Sequence, residues 1–187
     1  MIRHLACLPE IVRQWKKSPS DVGNCLLQKA TSHFTAVQTL AVQSRSLLDD
    51  LERQHKPPYA QSSVTAGLHA ALQRRYSFCL GGTLILHRLL RALSRDGSSL
   101  ATEAAILVAE AVALAARADN YKPFGSAHMQ FTLAAAYLDA DSEEQKSAVK
   151  RAICPFQFDC TPYRWDSRPR GGLQWLDDMS DAFPARA

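Results

Sequence analysis

A chain of 187 residues, 47% of them hydrophobic and 21% charged, has the length of one medium domain and enough apolar content to bury a core. Its 22 basic and 18 acidic residues are mixed along the chain, and the net charge of +4 implies no strong field for nucleic acid or a membrane surface. The nearest approach to a membrane span, residues 100–118, is interrupted by Glu103, Glu110 and Arg117, so a soluble protein is expected.

The amino-terminal residues 1–9 hold one Arg and a short apolar run broken by His4, too brief for a secretory core segment. Five cysteines, Cys7, Cys25, Cys79, Cys154 and Cys160, are odd in number and scattered. They read as reduced thiols of an intracellular protein, not as a disulfide framework. Neither a low-complexity tract nor an internal repeat is visible.

Pro9 suits the first turn of a short helix to about Lys17, with Ile11, Val12 and Trp15 on one apolar face. After the break at Ser18-Pro-Ser-Asp, Ser20 or Asp21 can cap a long amphipathic helix toward His55. Its stripe, Leu27, Ala30, Phe34, Val37, Ala41, Ser44, Leu48 and Leu51, recurs every three or four residues. The pattern fits antiparallel packing against a neighbour in the same chain, and a homodimeric coiled coil would use the same stripe.

Lys56-Pro-Pro-Tyr ends that helix, and Ser62 or Ser63 starts the next, which carries Leu68, Leu72, Tyr76, Cys79, Thr83, Leu86, Leu90 and Leu93 on one face and stops at Asp96-Gly97. Gly81-Gly82 in its middle costs about 1 kcal/mol per glycine relative to alanine, which fits close helix packing or, alternatively, a ligand niche.

Ser98 or Ser99 caps a third long helix to about Ala118, apolar on almost every side through Leu100, Leu107, Val108, Leu114 and many alanines. It is expected to be the central, most buried helix. Residues 120–126, Asn-Tyr-Lys-Pro-Phe-Gly-Ser, then form a helix, turn, helix junction: Pro123 disfavours helix at Lys122, Gly125 permits positive φ, Ser126 can cap, and Tyr121 and Phe124 can anchor the turn. A shorter helix follows from His128 to Tyr137 with Met129, Phe131 and Leu133, and Asp141-Ser-Glu-Glu opens a last helix to about Ile153.

Strand signals are nearly absent. The expected fold is all-α, an antiparallel bundle of about five to six helices over residues 1–155. An irregular, aromatic and proline-rich tail, residues 156–187, is expected to be partly docked. Within the tail, residues 173–183 alternate acidic and bulky apolar residues. They read either as a short terminal helix docked by Trp175 and Leu176 or as a segment that folds on a coactivator.

Chemistry is sparse. The six histidines, His4, His33, His55, His69, His87 and His128, are too dispersed for metal spacing, and Cys154 and Cys160 match metal ligation weakly, so neither a metal nor a cofactor is expected. No phosphate-cradling glycine loop and no nucleophile motif occurs. Arg74-Arg75, and Arg88 with Arg91 beside His87, make a polar stripe able to hold an anion, although solvated helix charges explain them as well. A helix amino terminus disfavours protonation of His128, which suits a local structural role.

Residues 109–137, Ala-Glu-Ala-Val-Ala-Leu-Ala-Ala-Arg-Ala-Asp-Asn-Tyr-Lys-Pro-Phe-Gly-Ser-Ala-His-Met-Gln-Phe-Thr-Leu-Ala-Ala-Ala-Tyr, resemble the carboxy-terminal part of the helical regulatory region of fungal binuclear zinc-cluster transcription factors. The likeness centres on the turn Tyr121, Pro123, Phe124, Gly125 and Ser126, and extends more loosely over residues 1–155, including Arg74, Arg75 and residues 84–93. None of the five cysteines has the Cys-x2-Cys-x6-Cys spacing of that family's zinc cluster, so its DNA binding does not carry over.

The resemblance implies a non-catalytic regulatory or interaction module of a fungal secondary-metabolism regulator, in nucleus or cytoplasm, with protein partners of the transcription-regulatory type and no DNA-binding domain of its own. Two readings stand beside it. One is a small helical enzyme or carrier for a hydrophobic metabolite, whose pocket would draw on Tyr76, His87, His128 and Tyr137. The other is a homodimer through the residue 27–51 stripe.

Overall fold

The computed structural model describes residues 2–17, 24–54, 63–94, 98–118 and 128–156. These form α1 (Ile2–Leu5), α2 (Leu8–Lys17), α3 (Asn24–Gln54), α4 (Ser63–Leu93), α5 (Ser98–Ala118), α6 (Met129–Asp139) and α7 (Glu143–Ile153), followed by a 3-10 turn, Cys154–Phe156. No strand occurs among the described residues, and no helix there is long and apolar enough to cross a membrane. The all-α bundle is therefore observed. The single turn α1 is an addition that periodicity, which needs a longer window, does not reveal.

Antiparallel packing of α3 on α4 follows the predicted stripe. Ala30, Phe34, Val37, Ala41, Ser44, Leu48 and Leu51 are buried, and Leu27 partly so. Contacts between Phe34 and His87, Arg45 and Tyr76, and Glu52 and His69 fix the direction, since the α3 numbers rise as the α4 numbers fall. The residue 27–51 stripe is thus occupied within the chain.

The central helix is α4 and not, as its composition suggested, α5. Its carboxy-terminal half is buried almost all round, because α3, α5 and α6 all pack on it. By contrast α5 buries Ala104, Val108, Ala111, Leu114, Ala115 and Ala118 while exposing Ile106 at 66%. An alanine-rich helix has little side-chain volume to lose on either side, so composition alone does not locate it. The face expected for α4 is otherwise found, except that Leu68, near its amino end, is half exposed.

Gly81 and Gly82 resolve as a close-packing site. A Cβ on Gly81 would stand 2.6 Å from the Phe131 ring and 3.2 Å from the Thr132 backbone of α6, and one on Gly82 would meet Val37 and Leu5 at 3.3 and 3.4 Å. The missing side chains let α6 and α3 approach α4 from two sides. At the same level the Ser77 and Thr132 hydroxyls hydrogen-bond at 2.6 Å, and the Thr132 hydroxyl donates to the Ser77 carbonyl at 2.9 Å.

Two apolar clusters result. The larger joins α3 to α7 around Leu48, Leu80, Leu84, Leu114, Leu133, Tyr137 and Ile153. The smaller seats Ile11 of α2 among Phe34, Val37, Leu86 and Leu90. Phe156, counted by the sequence in the tail, is 2% exposed and belongs to the larger cluster. The 120–126 junction and the segment after Phe156 lie outside the described residues.

Candidate functional site

The strongest concentration of polar chemistry lies inside the bundle, where α4 meets the end of α6. His87, in the carboxy-terminal half of α4, is fully buried, and so is Asp139, the last residue of α6. The two are brought together because α4 and α6 run parallel, Ser77 facing Thr132 and, further along, His87 facing Asp139. His87 Nδ1 and Asp139 Oδ2 are hydrogen-bonded at 2.6 Å.

Arg91, one turn further along α4, donates from Nη1 to the Asp139 carbonyl at 3.0 Å and to its Oδ1 at 3.3 Å, and from Nη2 to Asp141 at 2.5 Å. One guanidinium thus satisfies a carbonyl at the end of α6 and two carboxylates. On the other side of His87, Nε2 has no hydrogen-bond partner among the described residues, and Glu103 Oε2 of α5 stands 3.7 Å away. The Phe34 ring of α3 closes the site, its centroid 5.8 Å from that of His87.

Burial is the largest influence on Asp139 and lifts its carboxyl above the ordinary carboxylate range, against the opposing pull of His87 and Arg91. Arg91 is also desolvated, but its bond to Asp141 and the charge of Asp139 outweigh that and hold it more firmly protonated. Arg88 is shifted down, first by burial and then by neighbouring Arg91.

The anion that the Arg88 and Arg91 stripe suggested from sequence is therefore supplied, for Arg91, by the chain's own Asp139 and Asp141. Arg74 and Arg75, the other half of that stripe, are exposed. That Asp139 and Asp141 face Arg91 escaped sequence reasoning, because nothing in a two-residue acidic spacing after an apolar helix says which helix they will meet.

A second polar network joins α3, α4 and α5. Glu110 accepts from Arg45 of α3, from the Tyr76 hydroxyl of α4 at 3.1 Å and from Arg117 at 3.4 Å. Burial first, and then the Glu110 charge, pushes the Tyr76 phenol up to about 12. Arg45 loses some stability as a cation to burial but regains more from Tyr76, Asp49 and Glu110, and its pKa is raised.

The four residues offered as a pocket do not converge. Tyr76 belongs to this second network, 11 residues or about 16 Å along α4 from His87. His128 precedes α6, buried, with its ring tilted against Phe78 at 6.2 Å. Tyr137, 1% exposed, lies under Lys146 and Lys150, whose amines are 5.9 and 5.2 Å from its ring centroid. The turn residues Tyr121, Pro123, Phe124, Gly125 and Ser126 lie outside the described residues.

One buried polar side chain was missed by the sequence altogether. Gln73 of α4 is fully buried, yet neither amide atom has a hydrogen-bond partner among the described residues. Among the described residues, His4 and His33, far apart in sequence, place their Nδ1 atoms 3.1 Å apart. No group of three His, Cys, Asp or Glu side chains able to hold a metal occurs among the described residues, and Cys7, Cys25, Cys79 and Cys154 are free thiols. Among known proteins, no family model, no curated protein and no solved structure matches this chain.

Proposed function

We propose that the chain is a non-catalytic regulatory and interaction module of the kind that ends the helical region of a fungal zinc-cluster transcription regulator of secondary metabolism, these residues themselves making no sequence-specific contact with DNA. The observation that carries the non-catalytic part is the placement of His87 and Asp139. Both are fully buried, His87 Nδ1 is bonded to Asp139 across the helices, and Asp139 is bonded to Arg91 as well. A general acid or base has to reach the proton it moves, and among the described residues His87 and Asp139 are closed off from solvent by the helices around them. A buried pair that fixes how helices meet suits a rigid scaffold that presents surfaces to protein partners.

The regulatory part rests on residues 109–137, whose junction between two alanine-rich helices carries the family likeness. The metabolite enzyme or carrier is the weaker reading, because Tyr76, His87, His128 and Tyr137 occupy separate places in the bundle.

The test is a tethering assay. Fused to a heterologous DNA-binding domain in a fungal host, the chain is expected to change expression of a reporter carrying that domain's site. An unchanged reporter with the fusion stably expressed overturns the regulatory reading. In gel-shift experiments at physiological salt the untethered chain is expected to form no sequence-specific DNA complex, and such a complex would remove the claim that it lacks DNA binding of its own.

A further inference from the structure

The outer face between α5 and α7 holds an open-sided groove of about 450 Å³ lined by Val112, Ala115, Ala116, Ala148, Ala152 and Phe156, with Pro155 and Arg151 also at its margin. Small residues on both walls allow a bulky side chain to sink between the helices. Arg151 is exposed at this otherwise apolar site and makes no ion pair with a described residue. The described structure ends at Phe156, on the wall of the groove, and residues 157–187 follow directly.

We propose that this groove is the docking site of the chain's own residues 173–183, Leu-Gln-Trp-Leu-Asp-Asp-Met-Ser-Asp-Ala-Phe. At helical spacing Trp175, Leu176, Met179 and Phe183 share one face about 100° wide, and Asp177, Asp178 and Asp181 fall on the flank and back of it. The apolar face matches the alanine-lined floor, and the carboxylate of Asp178, beside the apolar face, matches Arg151 at the margin. This is recognition of an amphipathic helix by a groove, with both partners on one chain.

Connection favours this occupant over others. Eighteen residues separate Phe156 from Trp175, enough chain to return Trp175 to the groove on whose wall Phe156 lies. Such a tether gives an effective concentration on the order of 1 mM, so a contact with an intrinsic Kd of roughly 0.1 mM would be about 90% formed. The same segment is the acidic, bulky-apolar stretch suited to an outside partner, so docking and partner capture compete for the same side chains.

Hydrogen exchange of residues 173–183, measured in the full chain, tests this. Roughly tenfold protection over the intrinsic rate is expected, independent of protein concentration. Ala148→Arg, which fills the groove, is expected to return the segment to intrinsic rates with helix content unchanged. Arg151→Glu is expected to reduce protection, and adding Asp177→Lys and Asp178→Lys to restore it. If Ala148→Arg impairs folding, the charge exchange decides alone. An unprotected segment in the unaltered chain overturns the proposal, as does protection that survives both groove variants. Protection that rises with protein concentration also overturns it and assigns the segment to a second copy or another molecule.

Discussion

Gly81 shows how a single absent methyl group positions two helices. Helix propensity favours alanine there by about 1 kcal/mol, but a Cβ would overlap the Phe131 ring at 2.6 Å and press on the Thr132 backbone at 3.2 Å. The overlap wins, so Gly81→Ala is expected to destabilise the protein by about 1–3 kcal/mol in urea unfolding. Gly67, on the same helix and exposed with nothing within 4 Å of its would-be Cβ, is the control. Gly67→Ala should stabilise by about 0.5–1 kcal/mol. Equal effects at the two sites would refute the packing account. Asp139 makes the complementary case for charge. Asp139→Ala leaves Arg91 and His87 buried without their shared partner and is expected to cost about 3–5 kcal/mol. A loss below 1 kcal/mol in the same measurement would mean that the network is replaceable by apolar packing.

At the scale of elements, α7 is the clearest instance of local instructions carried out. Ser142 caps it by accepting from the Gln145 amide at 3.1 Å, and Gln145 Oε1 accepts from the Ser142 amide at 3.3 Å in return. Glu143 and Glu144 occupy the first turn and Lys150 and Arg151 the last, each matching the helix dipole. Ser142→Ala is expected to cost about 1 kcal/mol, with exchange of the first-turn amides of α7 accelerated first. Loss of protection spread evenly through the bundle would contradict that. The relation of α3 to α5 was not foreseeable in the same way. Gln38 meets Glu103, Arg45 meets Glu110 and Glu52 approaches Arg117, three rungs at seven-residue steps on both helices. The steps are regular because both helices pack on α4 and run parallel. Each half of a rung read alone is an ordinary surface charge.

For the whole molecule, Tyr76 links three helices and gives the fold an alkaline limit. Its phenol stays protonated above the ordinary value of 10.0, up to about 12. The folded state therefore binds a proton that the unfolded chain gives up earlier. The stabilisation is complete below pH 10 and is lost as pH rises through 10 toward 12. Tyr76→Phe keeps the ring but removes the hydroxyl bond to Glu110, and should flatten the fall of Tm between about pH 9 and 12. An unaltered slope would place the alkaline transition elsewhere.

The sequence by itself determined the all-α class, the helices from α2 onward and the buried stripe of α3, because hydrophobic spacing and capping are short-range properties that survive without a partner. The α3 stripe, the start of α5 at Ser98 and the Ser142 cap of α7 were all legible in this way. Only the tertiary structure decided that α4 and not α5 is central, that His87 faces Asp139 across 52 residues of chain, and that Arg91 holds an internal anion. Those facts depend on which helix lies beside which, and at what register. Both are set by the joint fit of many side chains around α4, which a one-dimensional pattern does not encode.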